Sequence, residues 1–298
     1  MASRAMTPRE GAAVKGRDGT TPSGPGEQVF HIRAGRRRGL VDLSELWRYR
    51  ELLFMLAARD IKLRYKQTVL GASWAIIQPL STMVVFSFFF GHLAGIPSDG
   101  IPYPVFSYCG LLPWQFFANS ITQAGNSLVG SQHLITKVYF PRLLVPVSSM
   151  VSCVLDLAIS FVVLLVLMLY FRIVPSLAIL ALPLFFVLAY ATALAAGLWL
   201  AALNVKYRDV RYVIPFLTQF WLFITPVAYP SSLIPERWRW LYGLNPMTGV
   251  VEGFRWSLLG KAESPRLMLL VSILTVAVLL VGGLFYFRRT ERTFADLI

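Results

Sequence analysis

Residues 67–98 read QTVLGASWAIIQPLSTMVVFSFFFGHLAGIPS, with no Asp, Glu, Lys or Arg among them. A helix crossing a bilayer needs roughly 20 predominantly apolar residues, and 70–93 supplies one such run. Further uncharged stretches follow along the 298-residue chain. The same reading predicts spans at about 103–123, 145–170, 175–202, 212–228 and 267–287. The predicted fold is therefore an all-α, polytopic membrane protein with six transmembrane helices occupying 67–298. Composition agrees: 56% of residues are hydrophobic and 14% charged, where soluble domains carry nearer a quarter charged residues. Mean hydropathy is +0.61. An ordinary soluble enzyme and a disordered basic protein are both excluded.

The net charge of +13 would point to nucleic acid in a soluble protein. Here 14 of the 28 Lys and Arg residues lie before Thr68, which in a membrane chain marks the cytoplasmic side. Lys137 and Arg142, then Lys206, Arg208 and Arg211, then Arg288, Arg289 and Arg292 fall on that same side of a six-span topology. Arg172, Arg237, Arg239, Arg255, Lys261 and Arg266 fall on the other. This bias places both termini in the cytoplasm, and no nucleic-acid partner is expected. Cys109 and Cys153 sit in apolar segments and build neither a disulfide framework nor a metal motif.

Upstream of the first span the chain divides in two. Residues 1–41 hold Pro8, Pro22, Pro25, several glycines and the run Arg36-Arg37-Arg38, with no apolar period; they read as a disordered cytoplasmic tail. Residues 42–66 read as an amphipathic interfacial helix ending in a basic connector. Asp42 and Glu45 have capping-box spacing, and Leu43, Leu46, Trp47, Leu53, Phe54, Ala57 and Ile61 recur at helical intervals. Between the last two spans, residues 230–266 are too apolar for a free loop and too broken by Pro235, Gly243, Pro246 and Gly249 to cross. Two short helices re-entering the outer leaflet satisfy both constraints.

Signals for catalysis are weak. The chain has no GxxxxGK[ST] phosphate loop; Gly260-Lys261 continues with Ala262 and has Arg255 where the first glycine belongs. His31, His92 and His133 are scattered, so no metal site is expected. Three segments attract attention instead. Arg59, Lys62, Arg64 and Lys66 make a basic patch at headgroup level, readable as lipid anchoring or as a phosphate-holding site. Residues Gln132 to Arg142, between spans two and three, read either as an interfacial turn or as a docking segment with Tyr139 and Phe140 exposed. Asp156, the carboxylate within a span, reads as structurally paired or as transport-coupled.

Taken together, three stretches resemble type-2 ABC transporter permeases for O-antigen and polysaccharide export. They are Arg59–Lys66 leading into Leu70–Pro79, the segment Ile135–Arg142, and Asn204–Val210 with Thr225-Pro226-Val227 and Leu244-Asn245-Pro246-Met247. The likeness covers about 42–287. It implies a homodimer of this chain in the bacterial inner membrane, working with two separate ATP-binding cassette subunits. ATP and Mg would be bound by those partners, with no cofactor, metal or catalytic residue on this chain. The cargo would be a polysaccharide linked to polyprenyl pyrophosphate, exported from the cytoplasm. Thr136, Lys137, Tyr139, Phe140, Pro141 and Arg142 would couple to the ATPase. Arg59, Lys62, Arg64 and Lys66 would hold the carrier pyrophosphate, and Phe86, Phe90, Trp221 and Phe223 would line the channel. A wall teichoic acid exporter is the near alternative, and a membrane-embedded glycosyl- or phosphotransferase the distant one.

Overall fold

The computed structural model describes residues 47–66, 73–260, 266–291 and 294. The tail, the Asp42–Glu45 cap and the connector after Lys66 lie outside the described residues. Every regular element among the described residues is helical: α1 (Arg50–Lys66), α2 (Ser73–Phe86), α3 (Tyr103–Gly130), α4 (Gln132–Lys137), α5 (Leu144–Tyr170), α6 (Leu182–Lys206), α7 (Val210–Ile224), α8 (Glu236–Tyr242), α9 (Pro246–Leu259) and α10 (Arg266–Glu291). Helix α2 passes without a break into π-helical turns over Ser87–Leu93, and a 3₁₀ turn, Leu177–Ala181, leads into α6.

Four segments are long and apolar enough to cross a membrane: Ser73–Leu93, Leu144–Tyr170, Leu177–Lys206 and Leu267–Glu291. The two other predicted spans depart from the expectation for different reasons. Helix α3 has the length, 28 residues, but Gln115, Asn119, Thr122, Gln123 and Asn126 lower its hydropathy. It is the central helix, packed between α5 and α6 and buried along most of its length, and these five residues lie on its less buried side, Gln123 being exposed. Helix α7 is apolar but has 15 residues, about 22 Å at ~1.5 Å per residue, against a hydrocarbon thickness of ~30 Å. The predicted span 212–228 is thus too long. Thr225 is extended, as a residue preceding proline tends to be, and the helix stops at Ile224.

The side chains form two apolar clusters. The larger gathers α3, α5, α6 and α9 around Phe106, Phe117, Met150, Phe185 and Phe254. The smaller joins Leu128, Ile135, Phe140, Leu143 and Leu144 to Leu198, Val205 and Phe287. Helix α1 touches both the second cluster and a point well along α5. Tyr49, Leu52 and Leu53 pack on that cluster, while Arg64 and Tyr65 reach Cys153 and Asp156, about three turns beyond Leu144. The helix therefore runs alongside α5. Its protein-facing side carries the buried Leu56 and Ala57, whereas Trp47, Phe54, Met55 and Leu63 point outward. The periodicity expected of one apolar stripe is split between the two faces.

The segment predicted as re-entrant contains two short helices, α8 and α9. Helix α9 has clear ends. The Asn245 side chain accepts a hydrogen bond from the Met247 N–H, 3.1 Å, Pro246 follows at the first helical position, and Gly260 closes the helix at φ 67.

Candidate functional site

The segment 131–142 is a hairpin between two long helices. Ser131 ends α3, with its N–H on the Ser127 and Leu128 carbonyls, and α4 then makes little more than one turn. Val138 is extended and carries the chain to Pro141. The expected exposure of both aromatics is corrected here: Tyr139 is 85% exposed, but Phe140 is 5% exposed and belongs to the second cluster. Arg142 faces the end of α10. Its guanidinium donates to the Glu291 carbonyl, its backbone N–H reaches Glu291 Oε1 at 3.2 Å, and its charge lies 5.9 Å from the Phe294 ring. Thr136 bonds within its own helix, to the Gln132 carbonyl at 3.0 Å. Tyr139 and Lys137 are thus presented outward, on a base held by Phe140 and Arg142.

The basic patch on α1 separates into roles. Arg59 is paired with Asp60 at 2.9 Å. Arg64 crosses to Asp156 Oδ2, also at 2.9 Å, and lies 3.9 Å from Cys153 Sγ. Lys62 and Lys66 are exposed. Tyr65 donates its hydroxyl to Asp156 Oδ1. Burial, reinforced by this bond, pushes the tyrosine's pKa well above its ordinary value, so the hydroxyl stays a donor. Asp156 thus meets both Arg64 and Tyr65 of α1. These groups border a cavity of about 190 Å³ between α1, α2, α3 and α5. A second, apolar hollow of about 330 Å³ lies between α5 and the start of α6 and shares Leu112 and Leu157 with the first as a wall.

Around the turn that follows α7 lies a constellation that reading the sequence missed. Arg255 is 2% exposed, although the charge pattern counts it among the external cations. Its Nη1 donates to Glu252 Oε1 at 3.0 Å and to the Pro226 and Tyr229 carbonyls at 2.7 and 3.3 Å. Nη2 donates to the Val227 carbonyl at 2.6 Å, and the guanidinium sits 3.7 Å from the centroid of Phe106. One buried cation thereby absorbs the carbonyls left unpaired where α7 ends. Gly110 makes room for it: a Cβ there would lie 2.7 Å from Arg255 Nη2. Asn245 ties the same turn to α9, accepting from Trp221 Nε1 and donating to Thr225 Oγ1, both at 2.9 Å. The available signal was Glu252-x-x-Arg255 inside an otherwise apolar run.

The four predicted channel aromatics do not share one surface. Phe86 is buried and packs edge-on against the partly buried Phe90. Trp221 meets Phe117 edge-on inside the bundle. Phe223 is exposed, and it continues an outward row on α7 made of Tyr212, Phe216 and Phe220. Among the described residues no three His, Cys, Asp or Glu side chains converge as metal ligands.

A family model described as ABC-2 type transporter matches residues 51–259, from the first turn of α1 to the end of α9. The chain belongs to the ABC-2 type transporter family. The match takes in all three regions described above, and it agrees with the resemblance carried by the sequence motifs. Among relatives of this ABC-2 transporter chain is the O-antigen export system permease protein RfbA of Myxococcus xanthus, 30% identical over 86% of the chain and 98% of that protein. A protein of the same name from Klebsiella pneumoniae is 27% identical over 83% of the chain and 95% of its own length. The polysialic acid transport protein KpsM of Escherichia coli is 27% identical over 81% and 93%. The geometry gives the family motifs physical content. Asn204 donates to the Gly125 carbonyl at 2.9 Å and so locks α6 to α3, while Thr225 and Asn245 form the joint between α7 and α9.

Proposed function

We propose that the chain is the membrane permease of an ATP-driven exporter, and that its cargo is an O-antigen-like polysaccharide linked to polyprenyl pyrophosphate. The observation that carries this reading is the near full-length likeness to permeases named for O-antigen export and polysialic acid transport. Two copies form the path in the bacterial inner membrane, and two ATP-binding subunits dock on the cytoplasmic side. Each copy crosses six times with both termini inside. Helices α3 and α7 complete the count, α7 being short because the Thr225–Tyr229 turn and the re-entrant α8 and α9 continue it.

In this reading Tyr139 and Lys137 meet the ATPase, and Phe140, Pro141 and Arg142 hold them in place. The carrier pyrophosphate is held mainly by Lys62 and Lys66, since Arg59 and Arg64 face Asp60 and Asp156. The outward row on α7 offers flat apolar faces, on which sugar rings slide without needing one fixed hydrogen-bond pattern. The turn held by Arg255 braces the outer gate.

The direct test is affinity purification of the full chain in detergent with identification of its companions. A stoichiometric ATPase carrying a phosphate loop is the expected result. A chain that purifies alone, from a cell encoding no such ATPase beside it, contradicts the proposal.

A further inference from the structure

We propose that the cavity enclosed by α1, α2, α3 and α5 is a subsite for a single uncharged pyranose ring of the exported glycan. The inference rests on the polysaccharide reading and adds a location and a ligand chemistry to it.

Size comes first. The cavity measures about 190 Å³, and an engineered apolar cavity of ~150 Å³ holds benzene. One six-membered ring with its substituents fits, and two linked rings do not.

Charge comes next. Arg64 and Asp156 are the charged groups lining the cavity, and they face each other at 2.9 Å, so the interior is close to neutral. An anionic phosphate would have to break that pair to find a counter-charge, whereas a neutral polyol borrows hydrogen bonds from its outer edges. The subsite is therefore distinct in chemistry from the exposed Lys62 and Lys66.

The wall chemistry is specific. Gln78 of α2 and Gln115 and Asn119 of α3 line the cavity. Gln78 is exposed and Gln115 and Asn119 are half-buried, and the contact joining Gln115 to Asn119 is a long 3.4 Å, so their hydrogen-bonding capacity is not used up within the protein. Each amide both donates and accepts, as each sugar hydroxyl does. Trp74 and Phe116 add ring faces to the same walls, suited to the apolar face of a pyranose. The cavity is also held open by design of the backbone: Ser160 Oγ donates to the Ala75 carbonyl at 2.9 Å and fixes α2 against α5, while Tyr65 and Arg64 fix α1 against α5.

The test uses the full-length chain in phosphatidylcholine nanodiscs, which carry no sugar, and saturation-transfer NMR. The probes are methyl pyranosides of glucose, galactose, mannose, rhamnose and N-acetylglucosamine. At least one is expected to give a saturable signal, weakened at least tenfold by Asn119→Leu and by Gln78→Leu, unchanged by Val278→Ala on the exposed side of α10, and not displaced by inorganic phosphate. If Asn119→Leu does not fold, Gln78→Leu decides, because that side chain is exposed on α2. No saturable signal from any pyranoside, displacement by phosphate, or equal binding by wild type and variants overturns the subsite. The readout needs no ATPase, so its failure beside a recovered ATPase partner sinks the subsite alone. Loss of the partner with glycoside binding intact sinks the exporter reading instead.

Discussion

Arg255 meets a carboxylate, several carbonyls and an aromatic ring at once. Removing one member of a buried ion pair leaves the other charge uncompensated, at a typical cost of ~3–5 kcal/mol. Arg255→Ala, which also frees the Pro226 and Val227 carbonyls, is therefore expected to lower the thermal unfolding temperature in detergent steeply. Gly110→Val should act in the same direction through the same group, because its side chain would displace the Arg255 guanidinium. Gly253→Ala would overpack Phe185, whose ring atoms lie 2.1 Å from a Cβ built at that glycine, at about 1–3 kcal/mol. Differential scanning fluorimetry of the three variants checks all of this, and a stable Arg255→Ala protein would contradict the stabilising role of this buried cation. The residue scale is also where the sequence is least legible. Asp156 stands out as a carboxylate in an apolar run, but its tyrosine partner is 91 positions away, and nothing local encodes that pairing. Arg255 reads as one more external cation until the fold wraps carbonyls around it.

Elements were far more legible, because their signal is local. Uncharged runs pointed to four of the segments that are helical and apolar enough to cross a membrane, Ser73–Leu93, Leu144–Tyr170, Leu177–Lys206 and Leu267–Glu291. The exceptions have physical causes. Helix α7 ends early at the Thr225-Pro226 step, and α3 runs on to Gly130 with its amides on the side that is less buried than the one packed on α5 and α6. The segment 131–142 was legible as a docking candidate, but hydropathy does not tell an exposed aromatic from a buried one. Exposure now divides the two. Tyr139→Ala should abolish ATP-dependent export with unfolding behaviour close to wild type, since surface changes stay within roughly 0.5 kcal/mol. Phe140→Ala should lose ~3–5 kcal/mol of stability before any transport effect is read. Expression, melting temperature and export measured together on both variants check the division; equal destabilisation would contradict the geometry of this hairpin.

For the molecule as a whole, topology and assembly carry the prediction. If the chain crosses six times, Tyr139 and Ser232 lie on opposite sides of the membrane. Single cysteines placed there should label with an impermeant maleimide only from the cytoplasmic and only from the outer side, respectively. Cys109 and Cys153 are buried and should stay silent. Labelling of both reporters from one side would refute the six-span count. The outward aromatic row of α7 is exposed in one copy, and the proposed pairing of two copies would give it a face to meet. The central claim, however, is export, and export is measured most directly on cells. A strain lacking this chain should be probed for the polysaccharide before and after permeabilisation, with wild-type and Tyr139→Ala genes returned in parallel. Polymer that accumulates inside and reaches the surface only when the wild-type gene is restored is the predicted result. Polymer that still reaches the surface in the strain lacking the chain, or that is never made there, would contradict it.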